Sequence, residues 1–212
     1  MPLPFLSLPN AGQRAFVAAR LATPPPAALV GMSDGHRLPG REGPLRAAAV
    51  LVPLVDRPGG VNVLLTERSA GLPDHPGQIS FPGGRVESAD VNAAAAALRE
   101  AFEETALPAA RVDVLGYLPH YATVTGYDVT PVVGWVTPPF DIHPHPLEVA
   151  DVFEVPLAFL LEPANQKRHF RMLDDVRRDY WAIPYQERYI WGATAAMLMM
   201  FDAVLRAGGA AP

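Results

Sequence analysis

From Ala47 to Val55 the chain is almost continuously apolar. That is the pattern of a strand buried on both faces. Arg57-Pro58-Gly59-Gly60 then reads as a turn, and Val61 to Thr66 as a second strand that pairs with the first as a hairpin. Ala70 to Pro76 reads as a loop, and Gln78 to Phe81 as a short strand feeding Gly83-Gly84. Beyond the glycines the period changes. Ala94, Leu98, Ala101 and Thr105 recur at helical spacing, and the alanines from Ala93 to Ala97 favour helix. Asp90 is expected to cap this helix, from Val91 to about Thr105. Its other side carries Glu100, Glu103 and Glu104, which are expected to face solvent.

Further strands are expected at Val112 to Leu118 and Val129 to Val136, with mixed signals from Val152 to Leu161 around Pro156. Gln186 to Arg206 reads as the last helix, stopped by Gly208-Gly209. Near the start, Asn10 is expected to cap a helix through Leu21 that the Pro24-Pro25-Pro26 run ends, with a connector to follow. Strands scattered between helices predict an α/β fold with a mixed sheet covered on both faces. The expected division is an N-terminal helix and connector at 1–44 and one main domain at 45–207.

Length and charge narrow the class. The 212 residues suit one sizeable domain, and half of them are hydrophobic. A net charge of −5 gives no electrostatic support for nucleic-acid binding. With no cysteine, disulfides, thiolate metal sites and cysteine nucleophiles are excluded. The N-terminus lacks a charged region before an apolar stretch and does not read as a secretory signal. The longest largely apolar stretch, Ile190 to Phe201, is shorter than the roughly 20 residues a membrane span needs. A cytoplasmic protein with a small-molecule partner is expected. A homodimer stays open, depending on whether Met and Phe of the last helix are exposed.

The chemistry lies between Phe81 and Leu107. Glu100, Glu103 and Glu104 stand at i, i+3 and i+4, on one side of a helix, where three carboxylates repel unless a cation joins them. An open oxygen cluster suits Mg²⁺ or Mn²⁺, and a metal bound this way usually works on phosphate. Gly83 and Gly84 let the backbone come close to a diphosphate. The reading is metal-assisted hydrolysis of a pyrophosphate.

The segment resembles the Nudix box, G-x5-E-x7-R-E-U-x-E-E-x-G-U, with U apolar. Gly84 supplies the first glycine, Asp90 stands at the first acid, Arg99-Glu100 and Glu103-Glu104 match, and Ala106 and Leu107 close the motif. The departures are Asp for Glu, one inserted residue before Arg99, and Ala for the last Gly. Upstream, Leu64-Leu65-Thr66-Glu67-Arg68-Ser69, Gly77 and Phe81-Pro82-Gly83-Gly84 resemble the signature of the coenzyme A diphosphatase branch. Pro73 replaces an arginine and Glu87 an aspartate of that signature. Val124 to Pro131 and Trp191-Gly192-Ala193-Thr194 are also similar to the branch, so the resemblance spans about residues 45 to 200.

The resemblance implies an α/β/α sandwich and cleavage of coenzyme A or acyl-CoA to 3′,5′-ADP and a 4′-phosphopantetheine. It implies Glu100, Glu103 and Glu104 as ligands of Mg²⁺ or Mn²⁺, with Arg99 orienting Glu103 from i, i+4. The base that deprotonates water is Glu100 or Glu148; the latter follows the His143-Pro144-His145-Pro146-Leu147 loop. His143 and His145 read as turn residues. Arg68 is the candidate for a substrate phosphate, the 3′-phosphate of coenzyme A in particular. Lys167, Arg168 and Arg171 read as a solvated face. The alternatives are hydrolysis of another nucleoside diphosphate compound, such as ADP-ribose or NADH, and a non-catalytic sensor. A pure sensor has no need of a metal-ligand face.

Overall fold

The computed structural model describes residues 3–35, 40, 43–72, 74–173 and 176–207. Pro73 and the Gly208-Gly209 stop lie outside the described residues. The elements run α1 (Asn10–Leu21), β1 (Arg46–Arg57), β2 (Gly60–Arg68), β3 (Ile79–Ser80), β4 (Gly83–Arg85) and α2 (Ala93–Thr105). Then come β5 (Val112–Tyr117), β6 (Tyr121–Ala122), β7 (Tyr127–Val136), β8 (Val149–Pro156) and α3 (Leu157–Leu160). The chain ends in β9 (Lys167–Leu173), β10 (Val176–Tyr185), β11 (Arg188–Trp191) and α4 (Gly192–Arg206).

The main sheet is mixed, with the path β3-β2-β1-β7-β5. β1 and β7 are parallel; β1 meets β4 and β2 in turn along its other edge, both antiparallel. The apolar run in β1 is explained by burial on both faces. Ala49, Leu51 and Val55 pack with Ala97 and Ala101 of α2. Val52 and Leu54 join a second core with Leu198 and Phe201 of α4 and Val17 of α1. Fully burying a Leu contributes about 1.5–3 kcal/mol, so each face of β1 is well secured. This is the α/β architecture with a mixed sheet between helices that the pattern predicts.

Four local expectations are corrected. Asn10 begins α1 but does not cap it; its amide donates instead to Asp56 Oδ1 at 2.5 Å and Arg57 O at 2.8 Å. Asp90 does not cap α2. Asn92 does, its Oδ1 accepting from Ala95 N at 2.9 Å, while both Asp90 oxygens are taken by Arg99. Glu104 does not face solvent: it is 5% exposed, because β4 lies across that side of α2. The last helix starts at Gly192, not Gln186. Arg188 to Trp191 is a strand of a separate sheet, β11-β10-β9, closed by a turn with Gln186 at φ 52°. Met197, Met200 and Phe201 are buried in the chain's own core, so they do not supply a dimer face.

Candidate active site

β4 consists of Gly83, Gly84 and Arg85, and its two glycines let β1 and α2 approach, one on each side. A Cβ at Gly84 would overlap the Glu100 carboxylate, and one at Gly83 would meet Val50 Cα at 2.6 Å. The Gly83 N–H donates to Glu104 Oε2 at 3.1 Å. Gly84 therefore makes room for the Glu100 carboxylate, while Gly83 lets β1 come close and supplies a donor to Glu104.

Arg99 organises the helix face. Its Nε and Nη2 hold the two Asp90 oxygens at 3.1 and 3.0 Å, and Nη1 donates to Glu100 Oε1 and Glu103 Oε2, each at 3.0 Å. Nη2 also donates to Arg85 O at 3.0 Å, which ties the helix to β4. The inserted residue before Arg99 does not break these contacts. The Arg99 guanidinium holds the Asp90 carboxyl below its ordinary pKa. Arg99 itself is held protonated, chiefly by the hydrogen bonds to Asp90.

The three glutamates differ. Burial pushes Glu104 up to about 7, with the Glu100 and Glu148 charges adding and the Gly83 bond and Arg68 opposing. Burial also raises Glu100, against the pull of Arg99. The Glu103 side chain is 56% exposed and turned to Arg99.

A cleft of about 510 Å³ is lined by Glu100, Glu104, Glu148, Arg68, Gly83 and Gly84. Glu103 and Arg99 stand outside it. Glu148 is brought in by the preceding loop, which is fixed to the end of α2: His143 N donates to Thr105 O at 2.9 Å and His145 N to Glu104 O at 2.8 Å. These bonds satisfy carbonyls that a helix end leaves open. His145 Nδ1 lies 3.8 Å from Glu148 Oε1, too far for a hydrogen bond. His75 also lines the cleft. Arg68 sits where the pairing of β2 with β8 shifts register, and it lines the cleft. Its Nη2 reaches Asp74 O at 3.4 Å, and its buried Nε has no hydrogen-bond partner.

The later sequence runs also find structural places. Thr194 Oγ1 donates to Ile79 O at 3.0 Å, tying the start of α4 to β3 beside the glycine turn. Trp191 and Tyr180 of the second sheet form a cleft wall, with Arg171 against Trp191 at 5.3 Å. Arg171 thus faces the cleft, while Lys167 bonds Ala164 O at its own strand's start. Arg46 and Arg85 line the cleft too, and sequence reasoning missed both. The available signal was the place of Arg85, directly after the glycine pair.

Among the described residues no three acidic or histidine side chains are already gathered as a metal cage. The donor set nevertheless fits a divalent cation held in an open site. Glu100 and Glu104 are oxygen donors, neighbours in charge, and both disfavour ionisation without a compensating cation.

The NUDIX domain model matches residues 45–176, and the chain belongs to the Nudix hydrolase family, acting on phosphoric anhydride bonds. It is 45% identical over 159 residues to a Nudix hydrolase NudL of Enterobacter sp. (strain 638), itself called uncharacterized, covering 72% of this chain and 79% of the relative. Its identity to NudL of Cronobacter sakazakii is 47% over 157 residues, with the same coverage. Among solved structures it is similar to the Nudix hydrolase RenU of M. smegmatis, at 28% identity and a TM-score of 0.46, over 54% of this chain and 73% of that one. Nudix hydrolases act on nucleoside diphosphate-linked compounds and generally use divalent metal ions. Among the described residues no helix is long and apolar enough to cross a membrane.

Proposed function

We propose that this enzyme cleaves the diphosphate of coenzyme A or acyl-CoA, giving 3′,5′-ADP and 4′-phosphopantetheine or its acyl form. The observation that carries this reading is the Leu64 to Gly84 run. It resembles the coenzyme A diphosphatase signature, and its Arg68, Gly83 and Gly84 line one cleft with Glu100 and Glu104. Cytoplasm is the proposed compartment and the partner is a small molecule.

Glu100 and Glu104 in the cleft, together with Glu103 outside it on the same helix, would hold Mg²⁺ or Mn²⁺, which, when bound, neutralises phosphate oxygens and lowers the pKa of a coordinated water. Arg99 positions this set by bonding Glu100 and Glu103 while Asp90 fixes its fork. Arg68, whose charge acts on Glu104, binds a phosphate oxygen near the carboxylates. Glu148 lines the same cleft and is 52% exposed, so it can meet a water and take its proton. The oxygen of that water bonds to one phosphorus as the bridging P–O bond breaks. The leaving phosphate keeps the electron pair.

The test is incubation with coenzyme A and Mg²⁺ or Mn²⁺, with products resolved by mass. The two named products are expected. Recovery of intact coenzyme A, from enzyme that cuts another nucleoside diphosphate, contradicts the substrate assignment.

A further inference from the structure

The cleft has a second charged region that the chemistry above does not use. Arg46 is opposite Tyr127 in the β1–β7 ladder, and Arg85 is opposite Ala48 in the β1–β4 ladder. Residues 46, 48 and 50 of β1 share one face, so both arginines and Tyr127 rise from the same floor. The Arg46 guanidinium carbon lies 4.1 Å from the centre of the Tyr127 ring. Arg85 Nε and Nη2 donate to Tyr127 Oη at 3.3 and 3.2 Å, and its guanidinium carbon is 5.9 Å from the ring centre.

Two guanidiniums thus converge on one phenol ring. Neither makes an ion pair with an acid among the described residues. Arranged so, they repel each other unless an anion lies between them, and each has N–H edges to spare for one.

The sheet also sets the distance. Gly83 pairs with Val50, two residues along β1 from Ala48, so Arg85 stands about 7 Å from Gly83 at the usual rise per residue. Arg46 lies a further two residues out, again about 7 Å. A diphosphate at the glycine turn would place its attached sugar over Ala48 and Val50, with the arginines beyond. We propose that Arg46 and Arg85, mounted on Tyr127, bind a second phosphate of the substrate, a monoester carried on the nucleoside sugar. Arg68 serves the diphosphate instead, since it lines the cleft with Gly83, Gly84 and Glu104. The assignment deepens the proposed function and rests on its placing of the diphosphate.

The experiment compares kcat/KM within two pairs that differ only by a sugar monoester: coenzyme A with 3′-dephospho-coenzyme A, and NADPH with NADH. Wild type is expected to favour the phosphorylated member by about tenfold or more, as a charge-assisted contact allows. Arg46→Met and Arg85→Met keep an aliphatic stem on the Tyr127 ring. Each should lower that preference, and the double variant should erase it through KM rather than kcat. Arg85→Lys keeps the charge without the fork, so it should retain part of the preference and carries the test should a Met variant fail to fold. A second readout is calorimetric binding of 3′,5′-ADP against 5′-AMP without metal, where the double variant should lose the difference.

A wild type indifferent to the monoester, or a preference that survives both substitutions, overturns the assignment. Cleavage of coenzyme A with that outcome leaves the proposed function standing without this subsite. Refusal of coenzyme A, with an NADPH preference that vanishes in the double variant, keeps the subsite and removes the substrate assignment.

Discussion

Glu104 accepts a hydrogen bond from the Gly83 N–H at 3.1 Å, so one buried carboxylate joins the glycine turn to the helix that carries the acids. The bond explains two motif residues by one contact. It also puts an ionisable group where ionisation is costly, since burial raises Glu104 to about 7. The proposed mechanism needs this charge, whereas the metal-free fold does better without it.

Glu104→Gln separates these demands. Gln keeps an acceptor for Gly83 and removes the buried charge. Hydrolysis should fall by about a hundredfold or more, because the variant lacks the proposed metal ligand. Metal-free stability at pH 8 should rise, by on the order of 1–3 kcal/mol. Urea unfolding and steady-state rates on the same preparation check both.

Stability of the metal-free protein should depend on pH in the opposite sense to an ordinary salt-bridged acid. The folded Glu104 binds its proton more tightly than the unfolded chain does, with a pKa of about 7 against 4.5. Its contribution is therefore full below pH 4.5 and is lost as pH rises through 7, an effect on the order of 3 kcal/mol. Mg²⁺ or Mn²⁺ competes with that proton, so the rise in Tm on adding metal should grow across the same window. Thermal melts from pH 5 to 8 with and without metal test this. A metal effect that is flat in pH would remove Glu104 from the ligand set.

Arg99→Lys should cost about 10–100-fold in activity, since a point charge cannot hold both Asp90 oxygens and also reach Glu100, Glu103 and Arg85 O. Asp90→Asn should act along the same route, so the double variant should be little worse than Arg99→Lys alone. Simply additive losses would mean that the two residues work separately.

Ala106 ends α2 in the left-handed region at φ 58°, where the family motif has glycine. An L-residue there costs roughly 1–2 kcal/mol, part of which the greater freedom of unfolded glycine offsets. Ala106→Gly should therefore stabilise the fold by about 0.5 kcal/mol, read as a higher urea midpoint at unchanged slope.

Much of this was legible where one rule governed a stretch. β1 is a continuous apolar run because both its faces are covered, and the β1–β2 hairpin follows from Pro58-Gly59-Gly60. The acids of α2 stand on the side that helical spacing gives them. The burial of Glu104 was not legible, because it depends on β4 crossing that side, a contact between residues 21 apart. Asp90 has the chemistry of a cap and is drawn off by Arg99, leaving the role to Asn92. The β9–β10 hairpin escaped notice because its exposed positions mix Phe170 and Met172 with charged residues, so no apolar alternation marks it. Arg46 and Arg85 become neighbours only through strand register.

The central claim is the substrate. It is tested most directly by kcat/KM for coenzyme A, ADP-ribose and NADH on one wild-type preparation with Mg²⁺ or Mn²⁺. Coenzyme A should lead, with 3′,5′-ADP and 4′-phosphopantetheine as the products identified by mass. A lead of about tenfold for ADP-ribose or NADH, roughly 1.4 kcal/mol in transition-state binding, would contradict the account and assign the cleft to a different nucleoside diphosphate.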